Sequence, residues 1–358
     1  MNMIIGILVV IGGIVFIHEL GHFTFAKLTG MRVETFSLGF PPRLFGKKIG
    51  ETDYCISAIP LGGYIKVSGV IDESMDVKGA SNIDDPKSFA SKNTLQKSLF
   101  ITGGVLFNFL LSIVVFTLLT LSSGIYEPIY EPVVDQVIPG FPADSCGIQA
   151  GDRILSVNET AITDWNEMTE IVHAHPADSI LLEWESSGQI YQKKLLTKSN
   201  KIFKDNEFVE VGLIGISPQY DKRAASISEA ARAGCSQTWY WIKITAFSLK
   251  ALLTGQESLK NVGGPILIAK MAGESAKSGF SALFGLLAII SVNLGLLNIL
   301  PIPALDGGHL VVILIEGIIR KPLSDKIKIR IQQVGMAILL TLIVVVLFND
   351  VVRLFNGF

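Results

Sequence analysis

Apolar residues in this chain gather into four long runs, separated by stretches of more polar and more alternating sequence. The runs extend from Met3 to Ala26, from about Leu99 to Leu121, from about Phe280 to Leu300 and from about Val334 to Phe348. About 20 mostly apolar residues cross a bilayer as a helix, so each run predicts a transmembrane span. The fourth is short, and flanking residues such as Asp350 and Arg353 are expected to snorkel to the interface. Between the first two runs, Thr52–Ile59 and Tyr64–Val67 alternate roughly and surround Pro60-Leu61-Gly62-Gly63, which predicts a β-hairpin. From Asp72 to Asn93 the sequence turns polar and acidic and reads as a mobile linker. Residues 132–218 predict a soluble domain of short strands with one helix from Trp165 to Ala174. In residues 225–260, Trp239, Tyr240, Trp241 and Phe247 alternate with Lys243 and Lys250, the pattern of a helix lying along a membrane–water interface. The expected fold is a multi-span α-helical membrane protein with an inserted β-rich domain and a β-hairpin on the cytoplasmic side. Its boundaries fall at 1–26, 27–98, 99–121, 130–220, 221–279, 280–312, 313–333 and 334–350.

Composition agrees. With 49% hydrophobic and 17% charged residues, the chain is too apolar for an ordinary soluble protein and too charged to lie wholly in lipid. A net charge of -2 and the lack of a basic stripe with interleaved aromatics exclude a nucleic-acid partner. Ten Lys and Arg lie between residues 27 and 98, and Arg320, Lys321, Lys326, Lys328 and Arg330 follow the third run. The positive-inside rule puts both segments on the cytoplasmic side of the membrane, and both termini and the inserted domain outside. The N-terminus lacks the basic start and cleavage site of a signal peptide. Cys55, Cys146 and Cys235 are scattered, odd in number and without a CxxC; they predict neither a disulfide framework nor a cysteine–zinc site.

The chemistry is concentrated in His18-Glu19-Leu20-Gly21-His22. On a helix His18 and His22 fall one turn apart on one face and can grip a Zn²⁺, with Glu19 beside them as a general base. These three are the only ionisable groups from Met3 to Ala26, and ionisable groups at membrane depth are functional by default. A catalytic zinc needs a third protein ligand. His173 and His175 fall on the wrong side. The stretch from Asn298 through Pro301, Pro303 and Leu305 to Asp306 brings a carboxylate to membrane depth beside two helix-breaking prolines. Asp306 is the first candidate, with His309 and Glu316 as competitors.

Two resemblances add to this. The segment Pro142 to Asn158 is similar to bacterial PDZ domains, with Cys146-Gly147-Ile148 and Asn158-Glu159 where many relatives have Ala-Gly-Leu and Asn-Gly. In such domains Gly212, Leu213, Ile214, Gly215 and Ile216 would form the loop and strand that capture a peptide terminus. HExxH in the first span, a PDZ-like insert and Asn298…Pro301…Pro303…Leu305-Asp306-Gly307 together resemble the site-2 protease family, in its bacterial RseP-type branch. That resemblance implies zinc held by His18, His22 and Asp306, Glu19 as base, and substrate held by Asn298, Pro301, Pro303 and the hairpin around Gly62, Gly63 and Tyr64. It also implies a place in a bacterial inner membrane and regulated intramembrane proteolysis of single-span substrates such as anti-sigma factors or remnant signal peptides. The rival readings are a silent PDZ scaffold and a membrane protease that cuts cytosolic loops with a Glu as third ligand.

Overall fold

The computed structural model describes residues 3–70, 85–204 and 207–356. Helix α1 (Ile4–Leu28), with a π turn at Leu8–Gly12, leads to two long strands, β1 (Val33–Ile49) and β2 (Thr52–Val67), and then to helix α2 (Thr94–Ser123). A β-rich stretch follows: β3 (Ile125–Pro128), β4 (Val134–Val137), α3 (Pro142–Cys146), β5 (Arg153–Val157), β6 (Thr160–Ala161) and α4 (Trp165–His173). It continues with β7 (Ser179–Ser186), β8 (Gln189–Leu196), β9 (Lys198–Lys204), β10 (Glu207–Leu213), β11 (Ile216–Pro218) and β12 (Tyr220–Arg223). Helices α5 (Ile227–Leu253), α6 (Pro265–Ser278), α7 (Phe280–Asn298), α8 (Asp306–Ile319) and α9 (Asp325–Asn356) complete the chain. It divides into two compact units, Met1–Thr120 with Ile227–Phe358, and Leu121–Ser226.

In the helical unit, α1, α2, α7 and α9 are each long and apolar enough to cross a membrane. Leu106, Leu110, Val114 and Leu118 form an exposed stripe on α2 at helical spacing, a surface suited to lipid. Two boundaries differ from expectation. Helix α2 starts at Thr94 because Asn93 and Gln96 cap it reciprocally: the Gln96 N–H donates to Asn93 Oδ1 at 2.9 Å and the Asn93 N–H to Gln96 Oε1 at 3.2 Å. The fourth span is long, running Asp325–Phe355, since Lys, Arg and Gln propagate a helix as well as Leu does. The third span, expected to about Leu300, ends at Asn298, and the segment that follows to residue 312 leads into a separate helix, α8.

Asp350 does not snorkel. It is fully buried and accepts hydrogen bonds from the Gly264, Ile266 and Leu267 N–H groups at 3.0, 3.0 and 3.1 Å. The first N–H groups of a helix have no partner within it, so α9 supplies the cap that the start of α6 lacks.

The expected hairpin is corrected in its pairing. Thr52–Ile59 and Tyr64–Val67 do not pair with each other. Both pair with β1, from opposite sides: Phe36 lies opposite Tyr54 and also opposite Ile65. The tight turn is at Gly50 (φ +62°), before β2, and β2 runs on through Pro60–Gly63. Across the outer strands, Arg43 grips Asp53 through two hydrogen bonds of 2.8 and 3.1 Å, which hold the Asp53 carboxyl below its usual range. Most of the expected linker, residues 72–84, lies outside the described residues; its end is ordered as a short turn at Phe89–Ser91.

In the β-rich unit, four strands pair in the order β6-β5-β7-β8, and separate pairs join β4 to β11, β9 to β10 and β3 to β12. Its core packs Val134, Ile154, Ile180, Leu182 and Trp184 against Trp165, Met168 and Val172 of α4. Asn158 and Glu159 both take positive φ, 47° and 65°, as a two-residue turn demands. The three cysteines are free.

Asp350→Ala should lower the stability of the detergent-solubilised protein by about 2 kcal/mol, because it strands buried N–H groups. Asp350→Asn should recover much of that loss. Thermal unfolding checks this, and an unchanged midpoint for the alanine variant would remove the cap from the account of stability.

Candidate metal centre

The metal centre begins with helical periodicity. His18 and His22 lie on one face of α1, buried to 7% and 6% exposure, with their Nε2 atoms 3.2 Å apart. Each ring is held at its other nitrogen. His22 Nδ1 bonds the Phe100 carbonyl at 2.9 Å, and His18 Nδ1 lies 3.1 Å from the Asn108 side-chain amide.

The third donor arrives through a broken helix. After α7 ends, Pro301 and Pro303 cannot supply the N–H groups a helix needs. Ala304 takes a left-handed φ of +75°, a strained conformation for a residue with a Cβ. Leu305 is extended, and Asp306 opens α8. Gly307 is required next, since a Cβ there would stand 2.5 Å from the Ile299 carbonyl carbon. The turn sets Asp306 Oδ2 at 3.1 Å from His18 Nε2 and 3.6 Å from His22 Nε2.

These residues fit a zinc ion. Four-coordinate zinc with bonds of about 2.0–2.2 Å holds its donors roughly 3.3–3.6 Å apart, close to the spacings seen. Asp306 Oδ2 is buried with no hydrogen-bond partner, so its lone pairs remain available. With Nδ1–H of His22 engaged by a carbonyl, its Nε2 lone pair faces the other two donors.

Two helices must nearly touch for this to form. A Cβ on Gly21 would stand 2.7 Å from the Gly103 carbonyl carbon and 2.9 Å from Gly104 Cα. Glycines allow backbones to approach in this way, and they bring α2 against the histidine face of α1.

Glu19 is half-buried and lines a cavity of about 550 Å³ together with both histidines, Asp306, Asn298 and Tyr64. Gly63 and Ile65 line it too, and a Cβ on Gly63 would stand 3.2 Å from Glu19 Cβ. Gly63–Val67 pairs with β1 along one side, and no strand pairs with its other side among the described residues. The sheet edge and the Glu19 carboxylate thus face one space.

Other candidates separate here. Glu316 ion-pairs with Lys328 at 2.7 Å and accepts from the Leu323 N–H at 2.8 Å, so it stands apart from the histidine pair. His309 lines the cavity but is not part of the cluster of close ligand atoms. Pro301, Pro303 and Gly62 do not line the cavity; the prolines act through the chain path, and Gly62 packs on Val15. In the β-rich unit, Gly212 and Leu213 end β10, Gly215 turns the chain at φ +84° and Ile216 opens β11. Ile214 is a core residue, 3% exposed. Asn108 is a site residue that sequence reasoning passed over. Its signal was a lone amide inside an apolar span.

The family described as Peptidase family M50 matches residues 6–342 of this chain. The chain belongs to peptidase family M50. M50 relatives match over nearly their whole length. A protein of Clostridium acetobutylicum, named provisionally as a zinc metalloprotease, is 36% identical over 355 residues, covering 99% of this chain and 98% of its own. The zinc metalloprotease RasP of Geobacillus kaustophilus is 29% identical over 422 aligned positions, covering 98% of each chain. Among solved structures, the PDZ domain of an SdrC-like protein from Listeria monocytogenes is similar at 15% identity and a TM-score of 0.21, over 26% of this chain and 92% of that one. The M50 protein is a zinc metalloprotease of the membrane.

Gly104→Ala should disrupt the centre without altering a ligand, because its Cβ would stand 2.5 Å from His18 Cε1 and 2.6 Å from His22 Nε2. Zinc per polypeptide after dialysis should fall well below the wild-type value. Full retention would show that the helices part at no cost to the site.

Proposed function

We propose that this M50 enzyme hydrolyses peptide bonds within or near the transmembrane segments of single-span proteins, with His18, His22 and Asp306 holding the zinc and Glu19 acting as general base. One observation carries the reading: two buried imidazoles and a half-buried carboxylate with donor atoms 3.1–3.6 Å apart share a cavity with the Glu19 carboxylate and a sheet edge. Zinc, when bound, supplies a Lewis acid that polarises a peptide carbonyl and acidifies water.

The chain's own residues do the rest. Glu19 takes the proton of the attacking water and returns it to the leaving nitrogen, so that the amine departs neutral. Asn298, whose amide lies 3.3 Å from His18 Nε2, donates to a substrate carbonyl; Pro301 and Pro303 end the helix so that Asn298 sits at its rim. A substrate helix hides its carbonyls in its own hydrogen bonds and must unwind before attack. Addition as a strand to Gly63–Val67 replaces those bonds.

The Lys and Arg distribution supports a site near the cytoplasmic face, with the termini and the PDZ-like domain outside. Substrates of this kind include anti-sigma factors and remnant signal peptides, shortened beforehand outside the membrane. The PDZ-like domain excludes bulky outer domains or captures a new terminus at Gly212–Ile216. The ion pair of Glu316 with Lys328 disfavours a glutamate-ligated enzyme of cytosolic loops.

Cleavage of a reconstituted single-span substrate tests the centre. Glu19→Gln should reduce the rate by about 10²–10⁴-fold while keeping zinc, whereas Asp306→Ala should lose zinc and Glu316→Ala should keep it. Zinc retained by Asp306→Ala would overturn the ligand set. For the sheet edge, Ile65→Pro should slow cutting of a helical substrate more than of a short unstructured peptide. Equal effects on both would discard strand addition.

A further inference from the structure

Asn108 is completely buried in α2 at a depth where an amide needs a reason. Its backbone is fixed from two sides: its carbonyl accepts from Ser291 Oγ of α7 at 2.9 Å and from Ser112 Oγ at 3.1 Å. Ser112 Oγ also reaches the Ala288 carbonyl of α7 at 2.8 Å. The side chain is therefore carried on a rigid junction of two spans. As placed, Nδ2 faces His18 Nδ1 at 3.1 Å, and Oδ1 is buried with no hydrogen-bond partner.

That arrangement suits one tautomer of His18 only. An amide N–H donating to Nδ1 requires the ring proton on Nε2, the atom 3.1 Å from Asp306 Oδ2. A ring so protonated cannot offer Nε2 to a metal. A neutral imidazole that ligates through Nε2 carries its proton on Nδ1, and the group 3.1 Å away must then accept it. Turning the amide by 180° exchanges two atoms of similar size and brings the orphaned Oδ1 to that place.

We infer that Asn108 is a positioning residue for the metal centre, whose Oδ1 accepts the His18 Nδ1–H and so fixes the ligating tautomer and ring orientation of His18. This rests on the ligand set proposed above. Metal-binding histidines depend on such acceptors, and losing one typically costs 10–100-fold in affinity. His22 has the Phe100 carbonyl in this role; among the described residues, the group that meets His18 Nδ1 is the Asn108 amide.

The test is zinc affinity, measured by competition with a chromophoric chelator on the full-length protein in detergent, for wild type, Asn108→Leu and Asn108→Asp. The expected result is a 10–100-fold weaker affinity for Asn108→Leu, which keeps the volume and loses the acceptor. Asn108→Asp keeps a carboxylate acceptor and should stay within a few-fold of wild type. Thermal unfolding of the metal-free forms identifies any variant that fails to fold, and Asn108→Ser supplies a smaller acceptor if the leucine variant is lost. Wild-type affinity in Asn108→Leu overturns the proposal. So does an equal loss in Asn108→Asp and Asn108→Leu, which would leave packing as the only role. Absence of zinc binding in the wild type would instead bring down the ligand set itself.

Discussion

A polar group inside a bilayer has no water to fall back on, and an unsatisfied one costs several kcal/mol. The helical unit is organised around that constraint. His18, His22, Asp306, Asn108 and Asn298 come from four separate stretches of chain and turn polar atoms toward one another, with Asp306 Oδ2 and Asn108 Oδ1 left without a hydrogen bond. Ser112 and Ser291 tie α2 to α7 through carbonyls on either side. If any of these helices moved by a few ångströms, several polar groups would be stranded together. The demand for satisfaction therefore aligns the helices, and the metal centre is where their partners converge.

Packing serves the same end. The helices that carry the two histidines and the Asn108 amide meet through Gly21, Gly103 and Gly104, and side chains there would force them apart. The start of α8 fits beneath the Ile299 and Leu300 carbonyls only because Gly307 has no Cβ. In both places the smallest residue stands beside one of the three clustered donor groups, so close packing and the donor geometry cannot be varied independently.

How much of this was legible follows from the range of each signal. HExxH is a local motif: its helix, its spacing and its apolar flanks fix two donors and a carboxylate without knowledge of the fold. The turn that brings Asp306 to the histidine pair was legible because two prolines and Asp-Gly in an apolar context demand a special turn. The pairing of β1 and β2 was not, because Phe36 has partners on both sides and alternation shows a strand without showing its neighbours. The length of α9 and the burial of Asp350 were missed for a related reason. Hydropathy does not register that charged residues continue a helix, or that a carboxylate near the end of one span caps another. Asn108 gave too weak a signal alone; its meaning depends on a ring 90 positions away.

If substrate adds to the outer side of Gly63–Val67, as proposed above, that edge sets what the enzyme selects. A sheet edge reads amide and carbonyl groups, which every residue except proline presents alike, and it takes little notice of side chains. An enzyme that recognises its substrate this way discriminates by what a segment can do: whether it can leave its helix, extend and lie flat along five residues of strand. The information that selects a target then lies in the looseness of that target's own helix, and sequences with nothing in common become equivalent at the cavity.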